Sequence, residues 1–502
     1  MPPRRARDRT VFSRTVRLAT LSAYAQMGVG MICSLILVRV ATRNLTPEEF
    51  GLWSFVFGSI GYFLLLDLGM SYSLGRIFAD PIYSGDHGNL SGKLTLVFLV
   101  LVAQGGVIAL SGITLMGPLL EFFRISPALK CEAEKLWIWC ILVQATTFPL
   151  RVFPGIIHAQ NRVYLANILS VVSQVVNLLV FWSFIAHGAG LMAYAYSSAA
   201  STLMMYLGHI LCVFPGRNPL GLKITKPVVA ELPGMMKYAF SVFASSFATQ
   251  ASGAAQIMII TRFLGLDAVA LYTVTSRIPT LLSTVSIKPF EAHRPQWIAQ
   301  FCTNDVPGFK MDYAKALNLT VFLLGASFLA SLYFNPFFVR FWTRSEFYAG
   351  NLFNALAALA GALSLLGSQM NITFQMSKRM KFYTVAAILG AAGEVLLSIL
   401  LVRRFGLIGV PLAALCCSGG LVMLFNHKYG LASLGIQGLG LLRTLAGLAA
   451  VLAAGLLFRT GSAHITGHDT LGYACAGFIL SVGLLILVFR RQLSVLIQGH
   501  GA

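Results

Sequence analysis

The stretch LTLVFLVLVAQGGVIALSGITLM occupies residues 94–116 and contains no charged side chain. As a helix rising about 1.5 Å per residue it would cross a hydrocarbon core of about 30 Å. Similar runs recur along the 502 residues, of which 57% are hydrophobic and only 11% charged. In lipid only helices and closed barrels satisfy their backbone polar groups, and these runs lack the alternation of barrel strands. The sequence predicts an all-α polytopic membrane protein.

We predict about 14 transmembrane helices, at residues 18–41, 50–74, 94–116, 136–157, 164–186, 190–213, 235–260, 267–285, 317–338, 352–374, 382–402, 407–425, 439–458 and 471–489. The first apolar run is too long for a signal peptide and lacks a small-residue cleavage site, so we interpret it as an uncleaved span. Most of the 37 Lys and Arg residues fall on the side of the N-terminus when Arg151 and Arg277 are counted with the loops. The positive-inside rule therefore predicts two cytoplasmic termini. This orientation and contact with anionic membrane lipids explain the net charge of +20 without nucleic acid.

An internal repeat relates the two halves of the chain. QNRVYLANILSVVSQVVNLLVFWSFIAHGAGLMAYA (160–195) and MSKRMKFYTVAAILGAAGEVLLSILLVRRFGLIGVP (376–411) share a basic elbow, an apolar span and a Gly-Leu pair, at an offset of 216 residues. ILVRVATRNLTPEEFGLW (36–53) likewise resembles IITRFLGLDAVALY (259–272). Because an even number of spans preserves orientation, we predict two parallel six-helix repeats followed by two C-terminal helices.

The predicted organisation has five parts: a basic cytoplasmic N-terminus (1–17), a first six-helix bundle (18–213), a cytoplasmic linker (214–234), a second six-helix bundle (235–425), and two extra helices with a tail (426–502). The eight cysteines show no CxxC pair and no metal-ligand spacing, so we predict no metal site. The chain contains no GxxxxGK[ST] loop and no outside loop long enough for a catalytic domain. We therefore predict that it is not an enzyme and has neither catalytic residues nor a cofactor.

The order of several short motifs is informative. They are Leu45, Glu49, Phe50, Gly51, Asp67-Leu68-Gly69 and Arg76 in the first half, Leu264-Gly265, Tyr272 and Arg277-Ile278 in the second, and the Gly-Leu pairs at 190 and 406. With this set the chain resembles, over roughly residues 12–430, the polysaccharide-export and oligosaccharide flippases of the MOP (multidrug/oligosaccharidyl-lipid/polysaccharide) superfamily. The resemblance implies a V-shaped pair of bundles that works by alternating access in the cytoplasmic (inner) membrane.

The resemblance also implies a substrate. This would be a polyprenyl-pyrophosphate-linked oligosaccharide, flipped for the biosynthesis of a surface polysaccharide such as O-antigen, capsule or exopolysaccharide. A glycan polymerase and a chain-length regulator are the implied protein partners. A drug/cation antiporter and a lipid-linked peptidoglycan-precursor flippase of the same superfamily are the alternatives.

Basic residues in or near the spans are candidates for binding the pyrophosphate, because ionisable groups cost about 2.5–3.5 kcal/mol to insert into a membrane. Arg277 lies ten residues past Asp267, about 15 Å into its span. Its guanidinium stays charged and can donate two hydrogen bonds to phosphate, although a structural ion pair is an alternative. We predict that Arg76, Lys237 and Arg17 collect the anion at the cytoplasmic mouth, or else reach toward lipid headgroups.

Two acidic residues are candidates for ion coupling. Asp67 is predicted to bind a coupling proton, to pair with Arg76, or to bend the helix before Leu68-Gly69. Glu394 is the lone acid of its span, and burial disfavours the charged form of a carboxyl group. It is predicted either to titrate during transport or to hydrogen-bond to a neighbouring helix. Its nearest counterpart in the first half is the neutral Asn177.

Overall fold

The computed structural model of the chain describes residues 4–214, 223, 225–377, 379–436, 449, 451, 453–459 and 471–498. Every regular element in these ranges is helical, which confirms the all-α class. Nine helical segments of the described part are long and apolar enough to cross a membrane. One of them, Lys381–Ala432, has 52 residues and is long enough to cross twice. The count of 14 stays a prediction, because the span at 439–458 lies largely outside the described residues.

The helices are labelled in chain order: α1 (Arg4–Asn44), α2 (Pro47–Phe63), α3 (Met70–Ser84), α4 (His87–Thr114), α5 (Met116–Phe122), α6 (Pro127–Thr147), α7 (Val152–Ala159), α8 (Val163–Ala186), α9 (Met192–Val213), α10 (Leu232–Leu264), α11 (Leu266–Thr275), α12 (Arg277–Ser286), α13 (Lys288–Ala292), α14 (Arg294–Cys302), α15 (Val306–Trp342), α16 (Asn351–Gln369), α17 (Ile372–Met376), α18 (Met380–Phe405), α19 (Gly409–Ala414), α20 (Val422–Ala432) and α21 (Leu471–Gln498). A π-helical segment, Leu415–Leu421, joins α19 to α20.

Side-chain caps define where several helices begin. Thr46 and Glu49 form a reciprocal capping box before α2, with Thr46 N donating to Glu49 Oε2 at 2.7 Å and Glu49 N donating to Thr46 Oγ1 at 3.2 Å. Asp86 accepts the amide of Asn89 at the start of α4, and Asp305 caps α15 in the same way. These caps satisfy amides that have no partner within the helix.

Several spans that the hydropathy pattern predicts as continuous are interrupted. Residues 50–74 divide into α2, a short 3₁₀ turn (Leu64–Asp67) and α3. Residues 267–285 divide into α11 and α12. The predicted connection 286–316 also differs, because α13, α14 and the first turns of α15 make it largely helical.

By its contacts the chain forms two compact units, Met1–Gln250 and Ala251–Ala502. In the first unit α8 packs against α1 and α9, α6 against α4 and α9, and α3 against α7. In the second unit α18 packs against α19 and the π-helical segment, α16 against α15 and α20, and α12 against α16, while α21 adds to α15. The recurrence of corresponding pairs in both units supports the predicted duplication. The predicted domain boundaries themselves stay a prediction.

Large apolar side chains remain exposed on the long helices. Leu179 on α8, Leu389 on α18 and Ile479 on α21 are 58%, 67% and 69% exposed. A water-soluble protein rarely exposes contiguous apolar surface of this extent. These faces are therefore suited to contact with lipid.

Candidate functional site

In the second unit, the helix that carries Arg277 is interrupted immediately before it. Pro279 has no N–H and its ring crowds the carbonyl four residues earlier, so the carbonyl of Thr275 cannot keep its helical hydrogen bond. Helix α11 ends at Thr275, and its carbonyl accepts instead from Asn335 Nδ2 at 2.9 Å. Arg277 is then the first residue of α12.

Two buried asparagines hold this interruption in place. Asn335 on α15 is 1% exposed and Asn354 on α16 is 0% exposed. Asn335 Nδ2 also donates to Asn354 Oδ1 at 2.7 Å, and Asn354 Nδ2 donates to the carbonyl of Ser331 at 2.8 Å. The hydroxyl of Thr275 accepts the amide of Ala349 at 2.9 Å. Neighbouring helices thus fix the point at which α12 begins.

Arg277 is half-buried at that point. The N-terminus of a helix carries a partial positive charge of about half a unit, so the guanidinium and the helix end contribute charge of the same sign. Amide groups at helix N-termini and guanidinium groups both bind phosphate oxygens. The arrangement is chemically suited to an anion.

Glu394 lies at the centre of a second polar network in the same unit and is 3% exposed. Its Oε1 accepts from Gln256 Nε2 on α10, and its Oε2 accepts from the hydroxyl of Ser418. The hydroxyl of Tyr272 on α11 donates to Gln256 Oε1. Within the described part of the chain these contacts to Glu394 come from neutral groups, and no ion pair is formed.

Ser418, whose hydroxyl donates to Glu394, belongs to the π-helical segment. Such segments are rare, are usually short insertions in α-helices, and occur frequently at functional sites. Here the segment presents Ser418 to α18 and places Gly419 against α16, where an added Cβ would lie 3.1 Å from Leu363 Cβ. Close packing on α16 and a polar contact with α18 therefore come from adjacent residues.

The first unit contains a neutral counterpart of this contact. Asn177 Nδ2 donates to the hydroxyl of Ser201 at 3.2 Å, and these residues are 24 positions apart, as are Glu394 and Ser418. The two pairs occupy corresponding helices, α8 with α9 and α18 with the π-helical segment. The two units therefore contain corresponding contacts, but the residue that contacts the serine is a neutral amide in the first unit and an acidic residue in the second.

The polar centre of the first unit surrounds Asp67. Leu68 and Gly69 adopt left-handed conformations, with φ of 49° and 78°, and separate the 3₁₀ turn from α3. The Asp67 carboxylate accepts from the amide of Ser71 at 3.0 Å and from its hydroxyl at 2.6 Å, while Gln104 Nε2 donates to the Asp67 carbonyl at 3.3 Å. Asp67 therefore caps α3 at a bend.

Asp67 forms an ion pair with Arg151, whose Nη1 lies 3.6 Å from Asp67 Oδ1. The guanidinium also lies 4.2 Å from the ring centroid of Phe148 and hydrogen-bonds to Tyr206. The ring of His209, which is 3% exposed, lies next to Tyr206. The buried Asp67 is therefore paired with Arg151, a cation of the same unit.

Several solved structures share the architecture of this chain. An inward-facing multidrug resistance MATE family transporter of the MOP superfamily matches with a TM-score of 0.68 at 16% identity, covering 83% of this chain and 100% of that one. The lipid II flippase MurJ, in an inward closed conformation, matches with a TM-score of 0.66 at 16% identity, covering 96% and 99%. A MOP superfamily transporter from Pyrococcus furiosus matches at 0.58 and 14%, covering 83% and 96%. The chain has the MOP transporter fold.

No protein-family model and no curated protein sequence matches the chain. The similar structures reported above are of transporters and a flippase, and the prediction that this chain is not an enzyme stays a prediction. Among the described residues, no group of three or more His, Cys, Asp or Glu side chains is arranged to hold a metal ion.

The other predicted basic residues occupy separate places in the MOP fold. Arg76 lies in α3 and is exposed, and Lys237 lies exposed in α10. Arg17 lies in α1, and its side chain is outside those that the structure describes. Whether these three bind substrate stays a prediction.

Arg151 is a polar residue that the sequence interpretation misses. It lies inside the predicted span 136–157, between Pro149 and Pro154, yet it is counted there as a loop charge. The rule applied to Arg277, that a charge within an apolar span marks a functional candidate, would have found it. The prolines explain the local geometry, because the chain forms a 3₁₀ turn (Phe148–Arg151) between α6 and α7.

Arg294 is a second missed residue. It begins α14, and its Nη2 donates to the side-chain and main-chain oxygens of Gln369 on α16. Because the sequence predicts a loop there, nothing in the hydropathy pattern indicates this contact.

Proposed function

We propose that this chain is a flippase that carries a polyprenyl-pyrophosphate-linked oligosaccharide across the cytoplasmic (inner) membrane by alternating access. The product would serve the biosynthesis of a surface polysaccharide such as O-antigen, capsule or exopolysaccharide. The observation that carries the proposal is the position of Arg277, which is half-buried at the start of α12. The helix interruption just before it is held by hydrogen bonds from Asn335.

The substrate's chemistry explains why this position matters. A pyrophosphate is a compact anion that must pass a region of low dielectric, where a fixed cation stabilises it far more than in water. The start of α12, which carries Arg277, is fixed by hydrogen bonds from α15 and α16, and a guanidinium can donate two hydrogen bonds to phosphate. Arg76, Lys237 and Arg17 would collect the anion before it reaches Arg277.

Glu394 is our candidate for ion coupling, to a proton or to sodium. Asp67, the other candidate, already has Arg151 as a counter-ion, whereas Glu394 is hydrogen-bonded by neutral groups. Through Gln256 the network reaches Tyr272, which lies on α11 five residues before Arg277. A change in the charge of Glu394 would therefore act on the helix that leads to Arg277.

Two alternatives within the same fold predict different behaviour. A drug/cation antiporter would use Glu394 to bind a cationic compound and would not need Arg277. A lipid-linked peptidoglycan-precursor flippase would need Arg277, because its substrate also contains pyrophosphate. The match to the lipid II flippase extends over 96% of this chain, against 83% for the MATE transporter, and this difference concerns the extent of the shared fold and not the substrate.

The test uses cells in which the chromosomal copy of this gene is deleted and a variant is supplied. We expect Arg277→Ala to abolish surface glycan while the protein stays in the membrane, and Arg277→Lys to restore part of it. Arg403→Ala is the matched control, because Arg403 is an exposed arginine that lies over the ring of Phe263. Surface glycan and membrane protein are measured by immunoblot, and lipid-linked oligosaccharide by extraction.

The outcomes separate the candidates. Full glycan export by Arg277→Ala at normal protein level removes the proposal. Drug resistance that depends on Glu394 and not on Arg277 indicates the antiporter. Rescue of cells depleted of their peptidoglycan-precursor flippase indicates the second alternative.

We also propose an orientation and partners for the flippase. Both termini would face the cytoplasm, and a glycan polymerase and a chain-length regulator would act beside it. Reporter enzymes that are active only outside the membrane, fused at either terminus, should be inactive.

A further inference from the structure

A long groove lies beside the Glu394 network in the second unit. It has a volume of about 830 Å³ and runs between α18 on one side and the π-helical segment with α20 on the other. Its walls are mainly apolar, formed by residues that include Val385, Leu389, Leu421 and Phe425. The two sides touch at Gly390, where an added Cβ would lie 2.3 Å from Val422 Cγ2. The groove therefore runs along the line where α18 and α20 pack closely together.

Two lysines stand at one end of this groove. Lys381 lies in the first turn of α18, and Lys428 lies in the last turns of α20. Both are exposed, and within the described part of the chain neither forms an ion pair. Lys428 Nζ lies 5.4 Å from the ring centroid of Tyr429. The groove thus has a cationic end and an apolar remainder.

The length of the groove matches one leaflet of a bilayer. From Lys381 to Gly393 along α18 is a distance of about 18 Å at a rise of 1.5 Å per residue. Half of a hydrocarbon core of about 30 Å is about 15 Å, which is the reach of one acyl chain. A polyprenyl tail is longer than one leaflet and would extend beyond a groove of this length. The dimensions favour a phospholipid.

We propose that the groove binds an anionic phospholipid, with its phosphate at Lys381 and Lys428 and one acyl chain between α18 and α20. The predicted topology places the lysines at the cytoplasmic leaflet, where anionic lipids attract basic residues. At the other end the chain would reach Gly393 and Cys417, the sequence neighbours of Glu394 and Ser418. A bound lipid would therefore hold together the two segments that the Glu394–Ser418 hydrogen bond joins.

The test measures binding and not transport, so its outcome is independent of the proposed function. Full-length protein in detergent micelles is exposed to phosphatidylglycerol carrying a photoreactive group in one acyl chain, and the labelled peptides are mapped. We expect labelling within residues 382–393 and 417–425. Phosphatidylcholine with the same chains should label this region much less.

Matched variants separate the headgroup from the chain. If each lysine contributes about fivefold to affinity, Lys381→Ala with Lys428→Ala should weaken phosphatidylglycerol binding about 25-fold. Lys223→Ala with Lys226→Ala removes the same charge from two exposed lysines elsewhere and should have no effect. Ala386→Trp should block labelling by filling the groove without altering charge.

Other outcomes would overturn the proposal. Equal labelling by the two lipids, or labelling spread evenly over α8 and α18, would mean ordinary lipid contact. Competition by inorganic phosphate at millimolar concentration would indicate a free-anion site, and displacement by a polyprenyl phosphate would indicate a site for the substrate's tail. Because these competitions use the wild-type protein, a variant that fails to fold does not prevent a decision.

Discussion

Asn335→Leu tests whether the helix interruption before Arg277 depends on the hydrogen bonds that Asn335 donates. Asn335 Nδ2 donates to the carbonyl of Thr275 at 2.9 Å and to Asn354 Oδ1 at 2.7 Å. Leucine has a similar volume and cannot donate, so both acceptors would remain buried without this partner. The change is therefore mainly electrostatic, with little cavity formation.

The expected magnitude follows from these two acceptors. A buried polar group left without its partner costs about 1–3 kcal/mol, so Asn335→Leu should destabilise the protein by about 2–6 kcal/mol. Pro279→Ala restores an N–H that can donate to the Thr275 carbonyl within a continuous helix. The double variant should recover about 1–3 kcal/mol of this loss. It should not recover transport, because a straightened helix would displace Arg277.

Thermal unfolding of purified protein in which the exposed Cys131, Cys416 and Cys475 are replaced by serine can be followed with a thiol-reactive dye, because Cys140 and Cys417 are buried and become reactive on unfolding. Asn44→Leu is the control, since Asn44 is exposed and its side chain bonds to its own helix at Val40 O. An unfolding midpoint for Asn335→Leu equal to that of Asn44→Leu would refute the reasoning. So would a double variant that is no more stable than Asn335→Leu alone.

Two further predictions concern the acid network and the first helix bend. Glu394→Gln keeps the shape of the side chain and a contact with Ser418 while removing the charge. We therefore expect a folded protein whose glycan export no longer responds to external proton or sodium concentration. An unchanged response would exclude coupling at Glu394. Gly69→Ala places a Cβ 2.3 Å from the carbonyl oxygen of Ala239 at a φ of 78°, whereas Gly85→Ala, at a φ of 73°, meets no atom within 4 Å. Both changes carry a left-handed backbone strain of about 1–3 kcal/mol. A lower unfolding midpoint for Gly69→Ala than for Gly85→Ala therefore measures the steric clash with Ala239. Equal midpoints would show that α10 does not approach Gly69 this closely.

The membrane setting made the fold class predictable from the sequence. In lipid a chain must satisfy its backbone hydrogen bonds locally, so length and hydropathy are sufficient to identify helices. The duplication was also visible, because the basic elbow before residue 163 and the Gly190-Leu191 pair recur before residue 380 and at Gly406-Leu407. The pairing of helices within each unit agrees with it.

The candidate site was only partly predictable. Arg277 and Glu394 were recognisable as rare charges in apolar spans, and Arg151 would have been by the same reasoning. Their partners were not, because Asn335 lies 58 positions from Arg277 in the sequence and Gln256 lies 138 positions from Glu394.

The sequence by itself determined that this chain is a bundle of membrane helices with an internal repeat and a few buried charges. Only the tertiary structure decided that Asp67 pairs with Arg151, that Glu394 is hydrogen-bonded by neutral groups, and that α11 ends before Arg277. The physical reason is that hydropathy is a property of each segment alone. A hydrogen bond between helices depends on the rotation of each helix about its axis and on its register against its neighbours, and both are set by side-chain packing.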